Sequence, residues 1–136
     1  MTQPGGLTSH HGSGELTLPA EPSTPRAARH FLAERLDRLQ VTSSAVDLAL
    51  LLTSELVTNA VRYGRGLVTL SVRTEPPSVR VVVHDGNPDL PTMGPDDETA
   101  EGGRGLRLVD TLATRWGAET GDEGKDVWFE LDLRGR

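Results

Sequence analysis

The stretch from Ser43 or Ser44 to Tyr63 constrains this chain most. Val46, Leu50, Leu51, Val57, Ala60 and Val61 recur at helical spacing and leave little polar surface between them. A helix this apolar all round has to be buried, so the rest of the chain must supply its cover. Ser44 followed by Asp47 has the shape of a capping box with Asp in place of Glu. Gly64 and Gly66 end the helix. A chain of 136 residues is long enough for one domain with its own core. No uninterrupted apolar run approaches the roughly twenty residues that a membrane helix needs.

The flanking segments show how the cover is made. Residues 1–14, rich in Gly, Ser and Thr with His10 and His11, read as a disordered tail, and the domain runs over 15–134. Glu15 to Pro19 alternates, with Leu16 and Leu18 on one side, as a short strand does. Thr24 as cap and Pro25 at the first helical position start a helix that runs to Gln40. Its stripe is Ala28, Phe31, Leu32, Leu36 and Leu39. Leu67 to Thr74 and Val79 to His84 form a strand hairpin about the Pro76-Pro77 turn. Asp85 to Gly102 has no periodicity, and a stretch this long in a small domain is usually functional. A helix over Gly103 to Thr114 turns Leu106, Val109, Leu112 and Ala113 inward. Trp116 to Thr120, a turn at Gly121 to Gly124, and alternating Val127, Phe129, Leu131 and Leu133 complete the chain. The order β-α-α-β-β-loop-α-β-β predicts an α+β, two-layer sandwich. Its sheet is mixed and mostly antiparallel, with helices covering one face.

Composition removes several function classes. With no cysteine there is no disulfide framework, cysteine metal site or thiol nucleophile. A net charge of −6 and a pI of about 5.1 argue against direct nucleic-acid binding, which usually needs a basic face. No secretion signal is visible, so a cytoplasmic protein without membrane association is expected. Lys125 is the only lysine among 14 basic residues, and no Gly-Lys-Ser/Thr phosphate loop is present.

Three segments carry candidate chemistry. Glu55 and Asn59 are four apart and share one face of the buried helix, with Arg62 three residues on. Polar groups there need partners, because unpaired burial costs about 1–3 kcal/mol. A metal and phosphates would be such partners, and so would water along a solvated stripe. Asp85 ends the run Val81-Val82-Val83-His84 at the mouth of the sheet. It could accept a hydrogen bond from an exocyclic amine, or simply start a turn, since Asp-Gly-Asn-Pro has strong turn chemistry. Glu101-Gly102-Gly103-Arg104-Gly105-Leu106 opens a helix. Glycines there let the backbone approach an anion, and they also suit a plain hinge.

In this order, the three segments resemble the N box and the two glycine boxes of the GHKL, or histidine-kinase-like, ATPase superfamily. Glu55-Leu-Val-Thr-Asn59-Ala is most similar to its stand-alone branch, the anti-sigma-factor serine/threonine kinases of actinobacterial type. Trp116-Gly117 and Gly124-Lys125-x-Val127-Trp128-Phe129-Glu130-Leu131 also resemble those relatives. The resemblance extends over roughly Leu16 to Leu133.

It implies the Bergerat fold and a site for ATP and Mg²⁺. Asn59 would coordinate the metal, and Glu55 would be the catalytic base. Asp85 would read the adenine amino group. Gly103, Arg104, Gly105 and Leu106 would lie at the phosphates. Arg62 would face phosphate, Tyr63 would line the pocket, and Pro88 to Glu101 would be the lid. The implied partners are a sigma factor and a small anti-anti-sigma protein of STAS type. A homodimer through the first strand and first helix is also implied, and the Phe31, Leu32, Leu36 stripe serves either that contact or the core.

Two departures stand out. The first glycine box reads Asp85-Gly86-Asn87-Pro88, with its glycine one place early. Asp126 stands where relatives often carry Thr near the base; it either disturbs the pocket or points to solvent. These departures keep open a second function, a non-catalytic or nucleotide-free module that acts by sequestering a partner.

Overall fold

The structure is a computed structural model that describes residues 13–39, 44–91 and 101–134. Its elements are β1 (Gly14–Leu18), α1 (Thr24–Asp37), α2 (Ser44–Tyr63), β2 (Val68–Glu75), β3 (Ser78–Asp85), α3 (Glu101–Leu112), β4 (Arg115–Gly121) and β5 (Gly124–Asp132). The five strands form one sheet in the order β1-β2-β3-β5-β4. The sheet expected as mixed and mostly antiparallel is antiparallel at all four pairings. The three helices pack on one face of it, giving the two-layer α+β sandwich.

Period-two alternation builds the core. Val68, Leu70 and Val72 of β2, Val79, Val81 and Val83 of β3, and Val127, Phe129 and Leu131 of β5 point to the helical side and are buried. Leu52, Leu56 and Val57 of α2 and Leu32 and Leu36 of α1 close over them. By length and composition α2 is apolar enough to cross a bilayer. Here it is the central helix, packed between the sheet, α1 and α3. Leu32 and Leu36 therefore fill the core, and Phe31 packs partly buried beside them.

The opposite face of the sheet is polar. Arg80 pairs across strands with Glu130, and the Arg80 guanidinium lies 4.0 Å from the Trp128 ring centroid. The Trp128 indole lies over Gly117, where an added Cβ would come within 2.8 Å of the ring.

Local details differ from expectation in three places. The cap of α1 is Ser23, with Pro25 in the first turn, while Thr24 is buried. The Thr24 hydroxyl donates instead to the Pro19 carbonyl and accepts from the Glu21 N–H. Helix α3 starts at Glu101 rather than Gly103, so its glycines are helical. Leu112, expected inward, is 39% exposed at the end of that helix, while Leu106 and Val109 are buried and Leu108 and Ala113 pack partly buried against the core. Gly14 opens β1, and the Ser13 hydroxyl accepts from the Thr74 N–H, so order reaches back to Ser13. Residues 1–12 of the expected tail lie outside the described residues.

Candidate functional site

The alternation that buries Val83 and Val127 does not stop at the apolar residues. One step of two carries it from Val83 to Asp85 and from Val127 back to Lys125. The register sets Val83 opposite Val127, and Asp85 opposite Lys125. Both charged side chains therefore sit on the core face, with Asp85 2% and Lys125 7% exposed. Lys125 Nζ lies 3.0 Å from Asp85 Oδ2 and 3.1 Å from Oδ1, and donates to the Asn87 carbonyl at 3.2 Å. Two charges buried this deeply persist because they are paired and hydrogen-bonded.

The turn after β3 is organised by Asn87. Its N–H donates to Asp85 Oδ1 at 2.7 Å, and its side-chain amide donates to the Tyr63 carbonyl at 2.8 Å. Its Oδ1 accepts from the Asp89 N–H. The short Asn side chain thus ties the turn to the C-terminal end of α2. Gly64 makes this possible, because a Cβ there would stand 2.5 Å from the Asp85 carboxyl carbon. Gly86, one place earlier than in the expected glycine box, donates to the Arg65 carbonyl at 2.8 Å.

Above the Asp85–Lys125 pair lies a cavity of about 340 Å³. That volume is within the range of roughly 300–1,000 Å³ usual for small-molecule sites. Its apolar walls come from Leu56, Ala60, Val83, Leu106 and Val127. Asn59, Asp85 and Lys125 are polar groups converging on it, and Tyr63, Leu90 and Pro91 stand at its edge.

At the α3 side, Gly105 faces two side chains of α2. A Cβ on Gly105 would come within 3.1 Å of Glu55 Oε1 and 3.3 Å of Asn59 Nδ2. The four-residue spacing puts both on one face of α2, and the missing side chain lets α3 approach that face.

The structure thus brings Glu55, Asn59, Gly105, Leu106 and Asp85 to one region, with Tyr63 at the rim, 53% exposed. Arg62 does not join them. It is exposed and does not line the cavity, because three residues of helix turn it about 60° from Asn59. Gly103 and Arg104 fall in the first turn of α3, where only the helical path is described. Of the expected lid, Pro88 to Pro91 is described, and residues 92–100 lie outside the described residues.

Asp126 stays out of the cavity. It points to the open face of the sheet, where His84 Nδ1 is 2.7 Å from its Oδ1. The inward neighbour of Asp85 is Lys125, which the motif reading passed over. Extending the Val127, Phe129, Leu131 alternation two residues backward would have found it. Asn87 was also passed over, although Asp-x-Asn at a turn is a signal for such side-chain bonds.

A histidine kinase-like ATPase domain model matches residues 18–131. No curated protein matches. Among solved structures, the chain is similar to the RsbU and RsbW domains of Rv1364c from Mycobacterium tuberculosis, with TM-score 0.67 and 19% identity. That match covers 88% of this chain and 32% of the other, so the chain spans about a third of that protein, and the likeness speaks for the fold. The family match takes in Glu55, Asn59, Asp85, Gly105 and Lys125, and the chain belongs to the histidine kinase-like ATPase domain family.

Proposed function

We propose that this chain is an ATP-binding regulator that phosphorylates a small STAS-type anti-anti-sigma protein on Ser or Thr and also acts as an anti-sigma factor. The observation that carries this reading is the convergence of Glu55 and Asn59 on Gly105, beside a cavity that ends at Asp85.

The residues present fit the nucleotide. The apolar walls suit a flat base, and Asp85 Oδ2 has acceptor capacity left for an exocyclic amine. The unpaired N–H groups of a helix N-terminus favour anions, and Gly105, one residue past the first turn of α3, lies against Glu55 and Asn59. Among the described residues no group of three or more His, Cys, Asp or Glu could hold a metal alone. Mg²⁺ does not require one, since phosphates and water supply most of its oxygens and Asn59 would add another. When bound, ATP supplies the phosphoryl group. Glu55 then takes the proton of the attacking hydroxyl on its carboxylate.

Isothermal titration with ATP and Mg²⁺ tests the site, and a transfer assay with a STAS-type protein tests the activity. Asp85→Asn is expected to lose binding. Glu55→Gln is expected to keep binding and lose transfer, and transfer that survived it would refute the role of Glu55.

A second reading is favoured by the Asp85–Lys125 pair, which balances the charge of the buried carboxylate without a ligand. It makes the chain a non-catalytic module that sequesters a partner. Ligand at one hundred times its dissociation constant stabilises a fold by about 2.7 kcal/mol. A thermal shift of zero with Mg-ATP would select this second reading.

A further inference from the structure

Lys125 has more donors than its protein partners use. Its ammonium carries three N–H groups. The two Asp85 oxygens, at 3.0 and 3.1 Å, subtend too small an angle at Nζ to take separate N–H groups of a tetrahedral ammonium, so they share one. A second goes to the Asn87 carbonyl at 3.2 Å. The third has no acceptor among the described residues, yet the side chain is only 8% exposed and lines the cavity.

Asp85 is unevenly used in the same way. Its Oδ1 accepts from the Asn87 N–H and from Lys125. Gly64 is pressed against that same oxygen, which an added Cβ would approach to 2.8 Å. Among the described residues, Oδ2 accepts from Lys125 alone. The floor of the cavity therefore offers one spare donor and one spare acceptor side by side, on a pair with no net charge.

We propose that Lys125 is a specificity-determining residue that reads the base together with Asp85. This rests on the adenine nucleotide proposed above. An adenine edge presents its amino group, a donor, next to the ring nitrogen N1, an acceptor. Asp85 Oδ2 takes the amino hydrogen, and the third N–H of Lys125 donates to N1. Hypoxanthine presents the opposite order, an oxygen acceptor beside an N–H donor, and is rejected. A binding site built around buried polar groups discriminates strongly, because the wrong partner leaves those groups unpaired. The pair also keeps a lone buried carboxylate from repelling a polyphosphate.

The test is titration of the whole protein and its Lys125→Met variant with three Mg²⁺ nucleotides. These are ATP, inosine triphosphate, and 1-deazaadenosine triphosphate, in which a C–H replaces N1. The wild type is expected to bind the deaza analogue about tenfold more weakly than ATP, the loss of one charge-assisted hydrogen bond. It is expected to bind inosine triphosphate more weakly still. Lys125→Met is expected to bind ATP about tenfold more weakly than wild type and to treat ATP and the deaza analogue alike.

Wild type that binds ATP and the deaza analogue equally overturns the inference while leaving the nucleotide site standing. So does a methionine variant that binds ATP more tightly, since Lys125 would then only compete with the ligand for Asp85. Wild type that binds no nucleotide sinks the ATP reading itself. If the variant does not fold, the wild-type comparison alone decides.

Discussion

Gly105→Ala separates stability from function at this site. In a helix interior alanine is favoured over glycine by about 0.8–1.0 kcal/mol. Position 105 is inside α3, so the substitution starts with that gain. The atoms nearest the new methyl group are Glu55 Oε1 at 3.1 Å and the Asn59 amide at 3.3 and 3.5 Å. Comfortable contact is about 3.5–4.0 Å, so these tips must withdraw by roughly half an ångström. Both are ends of side chains, and leaving a preferred rotamer costs about 0.5–1.5 kcal/mol. The two effects nearly cancel, so stability stays within about 1 kcal/mol of wild type and Tm moves by only a few degrees.

Function does not share in that cancellation. A misplacement of about 1 Å at a reacting group can cost roughly a hundredfold, so half of that displacement is expected to cost about tenfold in phosphate transfer. Thermal melts read the first quantity, and single-turnover transfer to a STAS-type protein reads the second. A variant that unfolds more than about ten degrees early would show that the contact is with rigid structure. Full transfer in a folded variant would show that Glu55 and Asn59 need not hold their places.

Two further outcomes follow from the packing and the open face of the sheet. Phe129 is 0% exposed at the centre of the core, so Phe129→Ala is expected to lose about 3–5 kcal/mol in urea unfolding. Burial alone pushes the Glu130 carboxyl up, but hydrogen bonds from Arg115 and Arg80 outweigh it and hold the group below its ordinary value of 4.5. A depressed carboxyl stabilises the fold above its unfolded pKa and loses that contribution as pH falls through the folded one. Wild type is therefore expected to exceed Glu130→Gln in stability at pH 7. The difference should shrink below pH about 4, and a gap that widened in acid would contradict the assignment.

Much of the fold was legible because it rests on local periodicity. The α2 helix starts and ends within a residue of the expected positions, since apolar spacing and terminal glycines both mark it. The last strand was read from Val127, whereas β5 begins at Gly124. Those three residues hid the site's main surprise, since the phase of the strand turns Lys125 in and Asp126 out. The start of α3 was missed for a related reason. Three glycines have low helix propensity and read as loop, but Gly105 is there to let α3 approach Glu55 and Asn59. Local pattern carries no trace of the strand order, because the β3–β5 pairing joins residues from 40 (Asp85 and Lys125) to 54 (Ser78 and Asp132) positions apart.

That pairing has a further consequence. With β5 inserted between β3 and β4, the chain from Gly86 to Gly124 is closed at its base by the Asp85–Lys125 rung. Closure entropy rises only with the logarithm of loop length, by about 0.6 kcal/mol for each doubling. Residues gained or lost between Pro91 and Glu101 therefore disturb the sheet little. The floor of the cavity is held to a strict two-residue rhythm, while the connection between Pro91 and Glu101 is free to change in length. Over many generations such a scaffold can lengthen or shorten that connection without rewriting the strands.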